Sequence, residues 1–126
     1  MAGVAADGLV ESVDIFPTLA ELCGLTPPSG LSGTSFVPLI ADAHKNGKPA
    51  VCGFWRDGRA HTLRTQQFRL VQWTSQPGRS YVLQTELYDH VSDPNETVNV
   101  AAENPEVVTD LLARLRERVP LLKLNK

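Results

Sequence analysis

The residues best suited to chemistry are the positive charges gathered in the middle of the chain. Positions 45–79 carry seven lysines and arginines and a single acid, whereas positions 1–44 carry five acids and no lysine or arginine. Positions 80–126 are again acidic, with eight acids and five cations. A basic segment between acidic flanks predicts either a surface that faces an anion or pairing between charges of the same chain.

Other reactive residue types lack a recognisable arrangement. His44, His61 and His90 lie far apart and have no paired metal-ligand spacing, so each is predicted to be an ordinary surface or hydrogen-bonded histidine. Cys23 and Cys52 have neither redox nor metal-site spacing, and we expect two buried free thiols rather than a disulfide. These observations predict no metal site and no catalytic residue.

Length and composition narrow the class of protein. With 126 residues and 42% hydrophobic residues, the chain is long enough for one domain with a core. The net charge of −2 argues against a nucleic-acid partner. No apolar run approaches the roughly 20 residues needed to cross a bilayer, and the first residues lack a signal-peptide pattern, so we expect no membrane association. The localisation stays open.

The first element that could position a site is a short helix near the N-terminus, within a lead-in and helix over 9–24. Asp14 is predicted to cap a helix over 15–23, and Gly24 suits the left-handed position that ends it. The apolar residues on one face share a helical spacing and are expected to be buried: Ile15, Leu19 and Leu22. An irregular loop over 25–48 follows, with a possible helical turn over 36–41.

The middle and the end of the chain predict an α+β fold. About four antiparallel strands are expected over 49–89, because β-branched, aromatic and alternating residues are separated by turn residues. A final helix over 104–119 is expected to begin at an Asn104 cap, to end at Pro120, and to pack on one face of the sheet. Its apolar stripe comprises Val107, Val108, Leu111, Leu112, Leu115 and Val119.

Four segments in order along the chain carry a more specific pattern. They are VESVDIFPTLAELCG at 10–24, GLSGTSFVPLI at 30–40, LRTQQFRLVQW at 63–73 and ELYDHVSDPNETVNVA at 86–101. In this order they resemble the C-terminal subdomain of type I sulfatases, especially the iduronate-2-sulfatase-like branch. The resemblance covers about residues 9–118, so we expect a single sulfatase-like C-terminal domain over 1–126.

The resemblance also implies where the family's catalytic groups lie. Type I sulfatases use a formylglycine made from the Cys or Ser of a Cys/Ser-x-Pro-x-Arg motif, and a calcium ion held by Asp, Asp, Asp and Asn or Gln. Both belong to the larger N-terminal domain, which the four segments do not include. We therefore expect this chain alone to hold neither cofactor and to be inactive by itself, although its family is one of sulfuric ester hydrolases.

The resemblance suggests a role for the basic segment at 45–79. The subdomain packs beside the catalytic domain in an intact sulfatase and can lend residues to the rim of the substrate pocket. Our rim candidates for an anionic sulfated saccharide are Trp55, Arg56, Arg59 and His61. The alternatives are a solvated strand edge with locally paired arginines and, for the whole chain, a free-standing oligomeric interaction or binding module. The expected partner is a sulfatase catalytic domain or a second copy of the chain.

Overall fold

The computed structural model describes residues 3–55, 58–76 and 79–119. Contact density divides the chain into two compact units, with the boundary between Val51 and Cys52. The first unit contains helices α1 (Ile15–Leu22) and α2 (Val37–Ala41). The second unit holds most of a four-stranded antiparallel sheet and one long helix, which confirms the predicted α+β fold. The single domain expected from the sequence stays a prediction.

The interior of the first unit is built around polar groups that precede or lie on α1. The Asp14 side chain is 1% exposed, and its carboxylate accepts hydrogen bonds from the Thr34 N–H at 2.8 Å and from the Lys48 ammonium group at 2.6 Å. The Thr18 hydroxyl accepts the Phe36 N–H at 3.0 Å. These bonds attach the long loop to α1, so the loop is ordered although it has little regular structure.

Gly33 shows how closely this loop approaches the residues before α1. A Cβ at Gly33 would lie 1.9 Å from the Val13 carbonyl oxygen, a distance at which backbone would have to move. Only glycine fits this position, which accounts for the second glycine of the segment at 30–40. Gly24 ends α1 with φ of +68°, as predicted.

Two predictions for α1 are wrong. Its apolar stripe is exposed, since Ile15, Leu19 and Leu22 are 51–56% exposed, whereas the buried helix residues are Pro17, Thr18 and Ala20. The small and polar face is turned inward because Thr18 and the neighbouring Asp14 bind the loop there. For the same reason, the Asp14 carboxylate makes no capping bond to α1.

The second unit carries the sheet as a simple meander in the order β1-β2-β3-β4. The strands are β1 (Val51–Trp55), β2 (Ala60–Arg64), β3 (Phe68–Gln76) and β4 (Arg79–Asp89). The β2–β3 turn is closed by Thr65, whose N–H donates to the Phe68 carbonyl at 2.8 Å. The number, order and direction of the strands agree with the sequence prediction.

Helix α3 (Pro105–Arg118) covers one face of this sheet, packing against β2 and β3. On that face Leu63, Leu70 and Leu87 stand opposite one another in the strand register and are fully buried. The helix contributes Leu111 and Leu115, 3% and 0% exposed, so the predicted α3 packing is confirmed. Alternating strand residues place a second set of side chains on the sheet face away from α3.

Two smaller predictions are wrong, one for the cap of α3 and one for the burial of the cysteines. Asn104 precedes α3, but its side chain donates to the Val100 carbonyl at 2.9 Å instead of capping the helix. The expected stop at Pro120 lies outside the described residues. The expected burial of both cysteine side chains is wrong, because Cys23 is exposed and Cys52 is half-buried. Among the helices of the described residues, none combines the length and apolar character required to cross a bilayer.

Candidate functional site

The structure places the four rim candidates in different environments. Trp55 ends β1 and is 65% exposed, and Arg59 is exposed immediately before β2. The Arg59 carbonyl accepts the Thr74 N–H at 2.7 Å, so its backbone is held against β3 while its side chain is open to solvent. Arg56 lies outside the described residues. An indole and a guanidinium group are thus both available at this end of the sheet.

His61 differs from the other candidates because it is buried, with 5% of its surface exposed. Its ring meets the Phe54 ring edge-on, with 5.4 Å between centroids, and its Nδ1 has no hydrogen-bond partner. Burial lowers the pKa of His61 from its ordinary value of 6.5, so the ring is neutral at pH 7. His61 therefore brings no positive charge to a rim at that pH.

The sheet face away from α3 holds a groove that the sequence analysis did not identify. In the strand register, Thr62 stands opposite Val71, which stands opposite Glu86, and Ala60 stands opposite Trp73. Above these residues lies a groove of about 360 Å³. Its lining comprises Gly53, Phe54, Trp55, Ala60, Thr62, Arg69, Val71, Trp73 and Glu86. The alternation of β3 was the available signal, since it sends Arg69, Val71 and Trp73 to one face.

A cluster of charged side chains lies next to the groove and includes Arg69, one of the residues that line it. Glu96 forms an ion pair with Arg69, whose Nη2 lies 2.6 Å from Oε2, and Glu96 Oε1 lies 2.7 Å from His90 Nε2. Arg64 Nη1 lies 2.9 Å from the His90 ring nitrogens. The charge of Arg69 is therefore already paired within the chain.

The turn that presents Glu96 explains the Asp-Pro motif of the fourth sequence segment. Glu96 has φ of +56°, a left-handed conformation that is costly for a residue with a side chain. The Asp93 carboxylate holds the turn by accepting the N–H groups of Val98 at 2.8 Å and Thr97 at 2.6 Å. These bonds, with Val98 foremost, lower the pKa of Asp93. Asp93 thus stabilises the turn at 93–98.

The family's catalytic groups do not fit the described part of this chain. Within it, no group of three or more His, Cys, Asp or Glu side chains could hold a metal ion. The sequence does contain one stretch with the Ser-x-Pro-x-Arg spacing, Ser75-Gln76-Pro77-Gly78-Arg79. This stretch spans the end of β3 and the start of β4, and Pro77 and Gly78 lie outside the described residues.

Comparison with known families decides the relationship. The family model described as "N-sulphoglucosamine sulphohydrolase, C-terminal" matches residues 1–124. The chain belongs to this sulfatase C-terminal family. The intact sulfatases of the family use calcium and a formylglycine, and the match to the family model includes residues of both units of this chain.

Individual relatives agree with the family assignment. The chain is 30% identical to arylsulfatase K of Bos taurus and 29% identical to arylsulfatase K of Homo sapiens, each over 98% of its length. It spans about a quarter of the length of these relatives, 24% in both.

Solved structures share the fold. BT4656 in complex with its substrate D-glucosamine-2-N,6-O-disulfate matches with a TM-score of 0.71 and 24% identity, over 87% of this chain and 24% of that one. A phosphonate monoester hydrolase of Agrobacterium radiobacter matches with a TM-score of 0.67 and 24% identity, over 88% of this chain and 25% of that one. The same architecture therefore occurs in enzymes that are not named as sulfatases.

Proposed function

We propose that this chain acts as a non-catalytic C-terminal domain of a sulfuric ester hydrolase, with a structural role against the catalytic domain and a rim contribution to the pocket for an anionic sulfated substrate. The observation that carries the structural role is the outward face of α1. Ile15, Phe16, Leu19 and Leu22 are each more than half exposed on this helix. Large apolar residues grouped in this way usually mark a surface that a partner covers.

The sulfatase catalytic domain is the partner that fits best. The curated relatives are about four times as long as the matched region, since the chain covers 24% of bovine arylsulfatase K. The polar face of α1 is occupied by bonds to the loop, including that from the Phe36 N–H to Thr18, so the helix cannot turn its apolar face inward without breaking them. A second copy of the chain could cover the same face, as in a free-standing oligomeric module, and the experiment separates the two partners.

The test uses a chimera in which this chain replaces the C-terminal quarter of bovine arylsulfatase K. We expect the chimera to be produced in soluble form and to hydrolyse an aryl sulfate ester. Leu19→Asp should abolish the soluble, active product, because a charge would be buried in the interface. Val91→Asp is the matched control, since Val91 is 76% exposed in a turn outside α1.

A second measurement keeps the test decisive if the chimera does not fold. Sedimentation of the chain alone should show a monomer, or a weak association, that Leu19→Asp does not change. A stable dimer that Leu19→Asp converts to a monomer would instead support the oligomeric module. Equal activity of the Leu19→Asp and Val91→Asp chimeras would also contradict the proposed docking face.

The rim contribution rests on Trp55 and Arg59, which are exposed near one another in the chain. Contacts of exposed charges are worth about 0–1 kcal/mol each, so binding of a sulfated disaccharide to this chain alone should be millimolar or weaker and should fade as salt rises. NMR shift mapping at low ionic strength should show changes at these residues. Shifts that survive the double substitution Arg56→Ala/Arg59→Ala would contradict the rim.

A further inference from the structure

The groove on the sheet face away from α3 contains polar groups without partners in the protein. Arg69 Nε, Trp73 Nε1 and Thr62 Oγ1 are buried and make no hydrogen bond. All three residues line this one groove. Buried polar groups are nearly always paired in folded proteins, so three unpaired atoms at one place indicate that something else pairs with them.

The same groove combines flat apolar surfaces with a carboxylate. Trp55 is 65% exposed at its edge, and Val71, 7% exposed, forms part of its floor. Glu86 also lines the groove, and its Oε2 is held by the Tyr88 hydroxyl at 3.1 Å. The groove volume of about 360 Å³ lies within the range of small-molecule sites.

A ligand for this groove needs apolar surface, hydrogen-bond acceptors and hydrogen-bond donors together. An anion supplies only acceptors and would be repelled by the Glu86 carboxylate, while the positive charge of Arg69 is already paired with Glu96 at 2.6 Å. A sugar ring has apolar C–H faces that lie on indoles, and its hydroxyls both donate and accept. The groove therefore favours a neutral sugar over a sulfate group.

We propose that this groove binds an uncharged pyranose ring of a saccharide, with the ring lying on the Trp55 indole and its hydroxyls on the polar groups of the floor. The unpaired atoms are covered by surrounding side chains, so the ring reaches them when a side chain at the mouth rotates. The proposal rests on the proposed function for the choice of a saccharide. It extends that function from the sulfate to a neighbouring unsulfated ring.

Tryptophan fluorescence offers a selective test, because the chain has only two tryptophans and both Trp55 and Trp73 line the groove. The probe is N,N′-diacetylchitobiose, a neutral disaccharide, titrated into the full chain. We expect a saturable change in emission whose midpoint does not depend on salt, since no charge pairing is involved. No change up to the solubility limit of the sugar would overturn the proposal.

Substitutions locate the binding. Trp55→Ala should weaken the affinity by about tenfold through loss of the stacking surface. Thr62→Val keeps the shape of the side chain and should weaken the affinity by about fivefold through loss of one hydrogen bond. Melting curves identify any variant that does not fold, and Trp55→Phe, which keeps a ring, should bind better than Trp55→Ala. Unchanged affinity in a folded Trp55→Ala variant would contradict the groove as the binding site.

Arg59→Ala is the matched control that separates this inference from the proposed rim. It should leave binding of the neutral disaccharide unchanged and weaken binding of its 6-O-sulfated form. Unchanged binding of both the neutral and the 6-O-sulfated disaccharide by Arg59→Ala would reject the rim and leave the groove intact. If the neutral sugar has no effect on the fluorescence while the sulfated form still binds through Arg59, the saccharide site in the groove is refuted and the rim is not.

Discussion

Helices α1 and α3 are both amphipathic, but their apolar stripes differ in exposure to solvent. The apolar stripe of α3 is buried through Leu111 and Leu115, whereas that of α1 is exposed through residues such as Leu19. Helix α1 is held by hydrogen bonds on its small and polar face, and α3 is held by leucines. An apolar stripe on a helix therefore predicts that this face is buried. It does not show whether the residues that bury it belong to the same chain.

The polar attachment of α1 should be the more sensitive to a single change. Asp14→Ala leaves the Thr34 and Glu11 N–H groups without their acceptor and the Lys48 ammonium group with Glu11 alone, and we expect a loss of about 3–5 kcal/mol in the free energy of unfolding. Urea denaturation measures this. Glu21→Ala is the control, because Glu21 is an exposed acid on α1. Similar midpoints for the two variants would show that the network does not stabilise the fold.

The apolar attachment of α3 should respond to cavities. Leu115→Ala should destabilise the chain by about 2–5 kcal/mol, since this side chain is fully buried. The matched variant is Leu19→Ala, a change of the same chemistry on the exposed face of α1, which should alter stability by no more than about 0.5 kcal/mol. A large loss for Leu19→Ala would mean that the apolar face of α1 is covered in solution, and sedimentation would then show by what.

The polar attachment of α1 should depend on pH, whereas the apolar attachment of α3 should not. Burial opposes the charge of Asp14, but bonds from Lys48, Thr34 and Glu11 outweigh it and lower the pKa of Asp14 below 3.8. Its contribution is therefore complete above that pH and is lost as the pH falls below it. Burial likewise opposes the Lys48 charge, yet its carboxylate partners raise the pKa of Lys48 above 10.5, so stability is lost as the pH rises beyond that value.

Acid denaturation of the Asp14→Asn variant tests this account. The variant should be less stable at neutral pH and should show a weaker dependence of stability on pH in the acid range. Leu115→Ala should keep the acid dependence of the parent chain, because no titrating group is changed. Equal acid dependence in the parent and the Asp14→Asn variant would contradict the assigned role of Asp14.

The smallest effect is expected for substitution of Ser75, although this residue begins a stretch with the Ser-x-Pro-x-Arg spacing. The chain alone should release no product from an aryl sulfate ester, and calorimetric titration with Ca²⁺ should give no saturable heat. The intact mass of the parent chain should correspond to an unmodified serine, and Ser75→Ala should leave the activity and calcium results unchanged. Turnover that survives stringent purification and disappears in Ser75→Ala would show that this chain is an enzyme in its own right.

Local patterns predicted much of the second unit. The strand pairs and α3 were predicted because alternation and a 3.6-residue stripe act through nearest neighbours in the same sheet or helix. The sequence predicted about four strands over 49–89 without their individual ends, and the structure supplies those ends, such as Gln76 for β3 and Arg79 for β4. Strand ends depend on partners across the ladder, which a local pattern does not contain.

The candidate site was predicted only in part for the same reason. Trp55 and Arg59 are exposed, but the burial of His61 and the assembly of the groove follow from the register of β2, β3 and β4. By itself, the sequence determined the family, the α+β class and the positions that carry charge. Only the tertiary structure decided which face of α1 is buried and which side chains share a groove, because both depend on contacts between residues far apart in the chain.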